Sequence, residues 1–456
     1  MSQPPLQCLV VVVALLIICH RFRWVFCQLD TLRRCIPASI RKALNELPIT
    51  LDETYEKTLQ CIPKEQRLHA HRLFQCLIAA IRPLRIEELT EIFAIQFDTK
   101  LGPNLVEGWR PEDPEEAVLT ACSSLIAIVE VEDSKIVQFS HFSVKEFLTS
   151  DRLAASSVGN ISHYHIPLEP AHSIFAQVCL TVLLQLDDKT DKKRLGTFPL
   201  AFYAAQHWVD HTKFGSIASE VGDGMERLFD PKKSHLAAWT WIYDMNYKNE
   251  PSMDHLAEHP SSPEATPLYF AMLCGFTELA KQLITTHAED VNAKCSNHGT
   301  PLHGAYRGGQ LECMQLLLEH GADGDARDYR QDAVSHIASS DGQVDVVRLL
   351  LQHNADVSAK ASSDWTPLHY ASNEGQIKVA QLLLEHGADV NAQSNTYQNT
   401  PLLVASRSGR LEVVRLLVDH GADVHKPGWQ SRTPFQWAMA NGHHEIAQLL
   451  LEHGAQ

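Results

Sequence analysis

The sequence predicts a mostly α-helical fold whose C-terminal part is a solenoid of stacked helical repeats. Three observations support this prediction. A short motif recurs six times near the C-terminal end, apolar residues at helical spacing fill the region before it, and one β-rich pair of segments interrupts those helices. A repeat period of 33 or 34 residues is typical of arrays in which each unit buries its apolar face against its neighbours.

The composition narrows the classes of function. A chain of 456 residues with 45% hydrophobic residues is long enough for two or three globular domains. Its formal net charge of −16 argues against nucleic-acid binding as the main task. The 11 cysteines form no Cys-x-x-Cys pair and lie mostly in apolar runs, which indicates a reducing compartment without disulfides or a metal framework. We expect no catalytic residues, cofactor or metal.

The N-terminal segment, residues 1–22, contains an unbroken apolar run from residue 8 to residue 19. The run is shorter than the roughly 20 residues of a membrane-spanning helix, and it has neither a preceding positive charge nor a following cleavage site. We expect a cytoplasmic chain. The alternative is a membrane anchor formed through residues 6–19, in which Arg21 and Arg23 would keep the remainder on the cytoplasmic side.

Residues 23–153 show helical patterns with one strand pair. Helices are expected over residues 39–47, 51–60, 67–82, 86–97, 115–125 and 141–153, and a Pro- and Gly-rich loop over residues 102–114. The β-rich runs 126–131 and 135–139 flank a short polar turn and predict a hairpin. Helices followed by a two-stranded wing resemble a winged-helix domain.

Residues 154–263 predict a helical linker region. Amphipathic helices are expected over residues 171–186, 198–211, 220–229 and 235–243, followed by a Pro-containing linker over residues 251–263. His207 and His211 lie four residues apart on one helix face, but no third ligand can be assigned, so a metal site is not favoured.

Six related units occupy residues 264–456. They open at Thr266, Thr300, Ala333, Thr366, Thr400 and Thr433. In the second unit, Thr300 suits a helix N-cap, Pro301 the first helical position and Gly321 the left-handed residue after the second helix. These residues resemble the ankyrin family, which stacks helix pairs with projecting turns.

The resemblance implies a protein-binding module whose partner lies on the concave face, along the first helices and the turn tips. The tips fall at residues 294–298, 327–331, 360–364, 394–399 and 426–432. In or beside them we expect the partner to be bound by Tyr329, Arg330, Trp365, Tyr397 and Trp429, because exposed aromatic and arginine side chains are favoured binding anchors. For Trp365 the alternative is ordinary packing within the repeat.

The third unit departs from the pattern. Ala333 replaces the capping threonine, and Gly324 stands where the other turns have valine. Loss of the cap should cost about 1 kcal/mol, and loss of a buried valine side chain about 1.5–3 kcal/mol more. We therefore predict that the joint at residues 324–335 is the weakest in the array and opens first in hydrogen exchange.

The first half is similar to the segment that follows the nucleotide-binding NACHT domain in fungal signalling proteins of the STAND NTPase class. Arg82-Pro83-Leu84-Arg85 and the stretch from Phe139 to Leu148 carry this resemblance, together with residues 23–30 and 198–208. The winged helix of such proteins is labelled after the GPI inositol-deacylase family, but this chain has no Gly-x-Ser-x-Gly elbow for a serine hydrolase.

A NACHT domain needs a phosphate-binding loop with a Gly-Lys step, which this sequence lacks. The resemblance gives His141 a nucleotide-phosphate contact, but only with a NACHT domain supplied in trans; otherwise it caps or packs a helix. We expect a non-enzymatic interaction protein, with the array as recognition arm of a fungal NACHT-type signalling or self–nonself recognition system. The alternative is a truncated or split STAND receptor that needs a NACHT domain in trans.

Overall fold

The computed structural model describes residues 50–455, apart from residues 98, 100–101, 123–124, 132–133, 158–160, 244, 246–252, 254–255, 262, 264, 296–297, 363 and 396. The chain divides into two compact units, Met1–Ser262 and Pro263–Gln456. The N-terminal apolar segment and the helix expected over residues 39–47 lie outside the described residues. Within the described part, no helix has the length and apolar character needed to cross a membrane.

The first half of unit one is helical with short strands. Its helices are α1 (Leu51–Gln60), α2 (Arg67–Ala79), α3 (Ile86–Thr90), α4 (Pro114–Cys122), α5 (Phe142–Leu148) and α6 (Asp151–Ala154). Its strands are β1 (Leu84–Arg85), β2 (Ile95–Gln96), β3 (Asn104–Leu105), β4 (Ile126–Val131) and β5 (Ser134–Phe139). Short 3-10 turns lie at Lys64–Gln66, Glu91–Ala94, Glu107–Trp109 and Ile161–Tyr164.

The predicted hairpin is confirmed, and the sheet is larger than predicted. β4 and β5 pair antiparallel from Ile126 opposite Phe139 to Val131 opposite Ser134. β1 adds a third strand to β5, and β2 pairs with β3 in a separate two-stranded sheet. Strands of two residues have no period to detect, so only the long pair was visible in the sequence.

Several predicted boundaries are wrong. The helix expected over residues 86–97 ends at Thr90 and passes through a 3-10 turn into β2, and the helix expected over residues 141–153 is split into α5 and α6. Helix α2 ends at Ala79, several residues before Pro83, because Ala80 is already extended at φ −56° and ψ 130°. The residue before a proline is biased against helix, but here the chain turns earlier.

Ion pairs between a buried carboxylate and two partly exposed arginines hold the turn between α2 and α3. Glu88 is fully buried and accepts hydrogen bonds from both terminal nitrogens of Arg82, at 2.9 and 2.7 Å, and from the backbone N–H of Arg85 at 2.8 Å. Burial alone would raise the pKa of Glu88, but the hydrogen bonds and charge of Arg82 outweigh it and lower the pKa.

The second half of unit one is a helical cluster, as predicted. Its helices are α7 (Leu168–Leu183), α8 (Lys192–Leu195), α9 (Ala201–Thr212), α10 (Ile217–Glu220), α11 (Gly222–Phe229) and α12 (His235–Ile242). Trp208 and Trp239 meet edge to face in its core, with ring centroids 5.3 Å apart. The helix expected over residues 220–229 begins two residues later, at Gly222, because a break at Val221 separates α11 from the short helix α10.

Unit two consists of six helix pairs. They are α13 (Pro267–Cys274) with α14 (Thr277–Thr286), α15 (Pro301–Arg307) with α16 (Leu311–Glu319), α17 (Val334–Asp341) with α18 (Val344–Gln352), α19 (Pro367–Glu374) with α20 (Ile377–Glu385), α21 (Pro401–Arg407) with α22 (Leu411–Asp419), and α23 (Pro434–Ala440) with α24 (His444–Glu452).

The helix starts and ends follow the predicted rules. Pro occupies the first helical position of five first helices, where its missing N–H costs nothing. Gly321, Gly387 and Gly421 follow second helices with φ of 82°, 87° and 82°, the left-handed backbone that glycine adopts without strain. Apolar side chains of the third to sixth repeats form one continuous buried cluster from Ala338 to Ala455.

The space that a missing valine side chain would leave at Gly324 is not found. A Cβ atom added to Gly324 would lie 3.2 Å from the Cβ of Ala355. Ala355 therefore already occupies the space beside Gly324, and the penalty expected for a missing valine has no open space to support it.

Candidate functional site

Three first helices carry a histidine that connects the helix start to the tip that follows. The Nδ1 atoms of His303, His336 and His369 accept hydrogen bonds from the backbone N–H three residues earlier, at 3.2, 3.1 and 3.2 Å. Their Nε2–H groups donate to the carbonyls of Asp332, Ala359 and Asn399, at 3.2, 2.9 and 3.0 Å. This arrangement needs a neutral ring, and burial lowers the pKa of His369 to about 4.

Each of the five tips is closed by a backbone hydrogen bond. The N–H and carbonyl pairs are Cys295 to Gly299, Asp328 to Asp332, Ala361 to Trp365, Ser394 to Asn399 and Gly428 to Arg432, at 2.8 to 3.1 Å. The residue before the closing carbonyl is left-handed in four tips, with φ of 68° at Gln331, 56° at Asp364, 50° at Gln398 and 55° at Ser431. The tips are thus tight turns that present side chains from a defined backbone.

The second tip presents Tyr329 and Arg330 to solvent. Tyr329 is 51% exposed, and the Arg330 Nε donates to its hydroxyl at 2.7 Å. The guanidinium carbon of Arg330 lies 5.2 Å from the Tyr329 ring centroid. The Asp328 carboxylate accepts the N–H of Arg330 at 2.8 Å and fixes the turn beneath them.

Trp365 is placed differently from the other predicted anchors. It is half-buried, stacks on His369 with centroids 5.8 Å apart, and meets the edge of Tyr370 at 5.3 Å. The Tyr370 hydroxyl in turn donates to Asp332 at 2.8 Å. Trp365 therefore packs within its own repeat, the alternative that the sequence had left open.

The fourth and fifth tips meet in an aromatic cluster. Tyr397 and Trp429, 51% and 37% exposed, lie edge to face with centroids 5.9 Å apart. Trp429 stacks on Trp437 of α23, with centroids 5.2 Å apart and planes 6° from parallel. The backbone N–H of Trp429 donates to the Asn399 side chain at 2.9 Å and so connects the two tips.

Two cations border this cluster. The Arg432 guanidinium lies over the Trp437 ring, 5.0 Å from its centroid. The Lys426 ammonium lies 3.5 Å from the backbone carbonyl of Asn391. We call Tyr397, Lys426, Trp429, Arg432 and Trp437 the aromatic–basic corner.

Sequence reasoning missed Trp437. It stands four residues after the opening threonine, a position filled by Ile337 in the third repeat and Val404 in the fifth. Tyr370 occupies that position in the fourth repeat and contacts Trp365. An aromatic residue at this position is therefore the sequence feature that could have predicted Trp437, because its side chain reaches the aromatic residue of the preceding tip.

His141 lies at the start of α5. Its Nδ1 atom accepts the backbone N–H of Ser143 at 3.3 Å and lies 2.6 Å from the Ser143 hydroxyl. That hydroxyl also contacts the hydroxyl of Tyr55 at 2.8 Å. His141 therefore caps a helix, the simpler of its two predicted roles.

The His207–His211 pair does not form a ligand set. Both ring nitrogens of His211 are occupied, with Nδ1 2.9 Å from His172 Nδ1 and Nε2 3.0 Å from the Tyr203 hydroxyl. Burial, with a further contribution from His172, lowers the pKa of His211 to about 3. Among the residues that the structure describes, no group of three His, Cys, Asp or Glu side chains could hold a metal ion.

One curated relative is a fungal protein. The chain is 31% identical over 290 residues to "Azaphilone pigments biosynthesis cluster protein L" of Monascus ruber. The matched region covers 60% of this chain and 59% of the relative. The chain thus spans about three fifths of the length of that relative.

Two family descriptions match the chain. Residues 40–158 match the winged-helix domain of GPI inositol-deacylase, which overlaps the predicted domain at 23–153. Residues 235–328, 330–394 and 391–456 match ankyrin repeats in three copies. The first of these copies begins at α12, before the six helix pairs. The chain therefore contains a GPI-inositol-deacylase-like winged-helix domain followed by ankyrin repeats.

Proposed function

We propose that the chain acts without catalysis, as an adaptor that binds a partner protein along its ankyrin tips and first helices. Ankyrin repeats suggest a protein-interaction role. The observation that carries the proposal is the contrast between a repeated framework and divergent tips. The histidine bridges recur in three consecutive repeats, the second to the fourth, whereas the tips carry different exposed side chains at Tyr329, Tyr397 and Trp429.

The finer part of the proposal is a recognition role in NACHT-type signalling. It rests on the winged-helix domain and on the sequence resemblance described above. Such a role predicts that a protein with a nucleotide-binding domain co-purifies with the chain and is released or retained according to the ATP concentration. Co-purification that ATP leaves unchanged would contradict the NACHT role and retain the simple adaptor.

The adaptor proposal is tested by affinity capture with the full-length chain. The tip variant combines Tyr329→Ala, Tyr397→Ala and Trp429→Ala and should lose partners that the unaltered chain retains. Trp109→Ala is the matched control, because Trp109 is a 53% exposed aromatic in unit one, far from the tips in sequence. An identical set of captured proteins for the unaltered chain and the tip variant would contradict the proposal.

A further inference from the structure

The aromatic–basic corner has a buried hydrogen-bond donor without an acceptor and two cations without a carboxylate partner. The indole N–H of Trp437 is buried and has no hydrogen-bond partner. Within the described part of the chain, neither Arg432 nor Lys426 forms an ion pair with a carboxylate. A buried donor without an acceptor costs roughly 1–3 kcal/mol, so packing alone leaves the polar groups of the corner incompletely satisfied.

The unpaired cations stand out against the charge of the chain. Acidic residues outnumber basic ones, 55 to 39, and many exposed cations in the repeats have a neighbouring acid. Lys281 pairs with Glu278, Arg410 with Glu374 and Arg415 with Glu412. At the corner, the contacts of the cations are a ring face and a backbone carbonyl.

The apolar part of the corner is also incompletely covered. Trp429 is 37% exposed although it contacts both Tyr397 and Trp437. The turn that carries it holds two consecutive left-handed residues, Gln430 at φ 59° and Ser431 at φ 55°. A non-glycine residue in this conformation costs about 1–2 kcal/mol. The tip therefore keeps a large aromatic side chain at the surface despite a local conformational cost.

We propose that the aromatic–basic corner binds an acidic segment of a partner protein that also presents an aromatic side chain. The carboxylates pair with Arg432 and Lys426, and the aromatic ring packs against Trp429 and Tyr397. Arginine suits this role because its planar guanidinium can donate two parallel hydrogen bonds to one carboxylate while resting on an aromatic ring. This inference rests on the proposed adaptor function and names the chemistry of its partner.

The test uses the full-length chain and a fluorescein-labelled peptide in which glutamates flank a central phenylalanine. Fluorescence anisotropy should show saturable binding that weakens at high salt, and Arg432→Gln or Trp429→Ala should each weaken it by at least about tenfold. Arg415→Gln is the matched control, because Arg415 is an arginine of the same array, 55% exposed, on the second helix of the fifth repeat and outside the corner. It should leave the affinity unchanged.

Three results would overturn the inference. The first is equal binding of the same peptide with glutamine in place of every glutamate. The second is an equal loss of affinity in Arg415→Gln and Arg432→Gln. The third is displacement of the peptide by single-stranded DNA at equal concentration of negative charge, which would indicate unspecific attraction to anions. If the tip variant still loses its captured proteins while any of these results is obtained, the adaptor function stands and this inference alone fails.

Discussion

The joint between the first and second repeats differs sharply from the joint between the second and third. Helix α15 packs extensively against α13 but touches α17 at few positions. Gly304 and Gly308 explain the close side: an added Cβ would lie 2.9 Å from the Tyr269 carbonyl oxygen or 2.1 Å from that of Leu273. Small residues spaced by four let the two helix backbones approach.

The far side of α15 lacks a contact that later joints share. Gln376, Arg410 and His443 occupy one repeat position, and each donates a side-chain hydrogen bond to a carbonyl of the previous first helix, at 3.0, 2.8 and 3.2 Å. Gln343 holds this position in the third repeat, and within the described residues it makes no such bond. The Tyr306 hydroxyl reaches Asp341 across the joint at 2.5 Å instead.

The comparison suggests an array of two blocks, the first two repeats and the last four. The continuous apolar cluster begins at Ala338 in the third repeat, with Tyr306 of the second repeat only partly buried against it. The stability of a repeat array is approximately a sum of repeat and nearest-neighbour terms. A single poorly connected joint can therefore decide where the array opens.

The largest expected effect comes from Gly308→Ala. The added methyl group would overlap a backbone carbonyl oxygen, so α15 must move away from α13, and we expect the free energy of unfolding to fall by about 3 kcal/mol. Urea denaturation of the full chain measures it. Gly222→Ala is the control, since Gly222 has open space and an ordinary backbone. Equal stability of Gly308→Ala and the unaltered chain would contradict the close packing of the first block.

Mild acid should destabilise the second block. The pKa of His369 is about 4 in the folded chain, against about 6.5 when unfolded. Below pH 6.5 the unfolded state binds more protons than the folded state. The contribution of neutral His369 to stability is therefore complete above pH 6.5 and is lost as the pH falls towards 4. Its upper limit is about 3 kcal/mol. The free energy of unfolding, measured between pH 7 and 5, should fall less steeply with decreasing pH in His369→Gln than in the unaltered chain. An equal pH dependence in both would show that His369 is not the cause of the acid sensitivity.

Hydrogen exchange should locate the weak joint. We expect the free energy of local opening for amides within residues 324–335 to be about 1 kcal/mol lower than in the joints of the second block. The reason is that Ala333 lacks the capping hydroxyl. The bond from the Ala333 N–H to His336 keeps part of the cap. Uniform protection through all six repeats would show that the array opens as one body.

The side-chain bond across the joints can be tested by a matched pair of variants. Gln376→Ala removes a hydrogen bond to the Ser340 carbonyl and should cost about 1 kcal/mol. Gln343→Ala changes the same repeat position at the weak joint and should be nearly neutral. Equal losses in urea denaturation would mean that the difference between the joints lies elsewhere.

The smallest expected effect is a gain from Asp325→Asn. Asn292 and Asn391, at the same repeat position, accept the N–H of Asp323 or Asp423 and also donate to the carbonyl of Gly321 or Gly421. Asp325 accepts the N–H of Asp356 but has no donor, and burial raises its pKa. Asparagine should stabilise the joint by about 0.5–1 kcal/mol and slow exchange around residue 325. Destabilisation would show that the charge of Asp325 is needed.

The repetitive features were predictable because each depends on local chemistry. Thr-Pro starts, glycine ends and leucine-rich second helices recur in a fixed order, so their positions confirmed one another. Strands β1 to β3 were missed because two residues are too few to show an alternating pattern. Of the predicted anchors, Tyr329, Arg330, Tyr397 and Trp429 lie at the surface, whereas Trp365 packs inward. The partner-binding roles of all five remain predictions.

The number of repeats, the opening residue of each unit and the positions of the tips followed from the sequence alone, because caps, turns and apolar spacing act within a few residues. Which aromatic side chains meet, and which joint is poorly connected, depends on packing between repeats. Trp429 contacts Trp437, and α15 leans towards α13, through packing between elements whose separation depends on side-chain size on both partners. The distance between two packed helices depends on the side chains of both, and these belong to different repeats. The sequence pattern of one repeat therefore does not predict it.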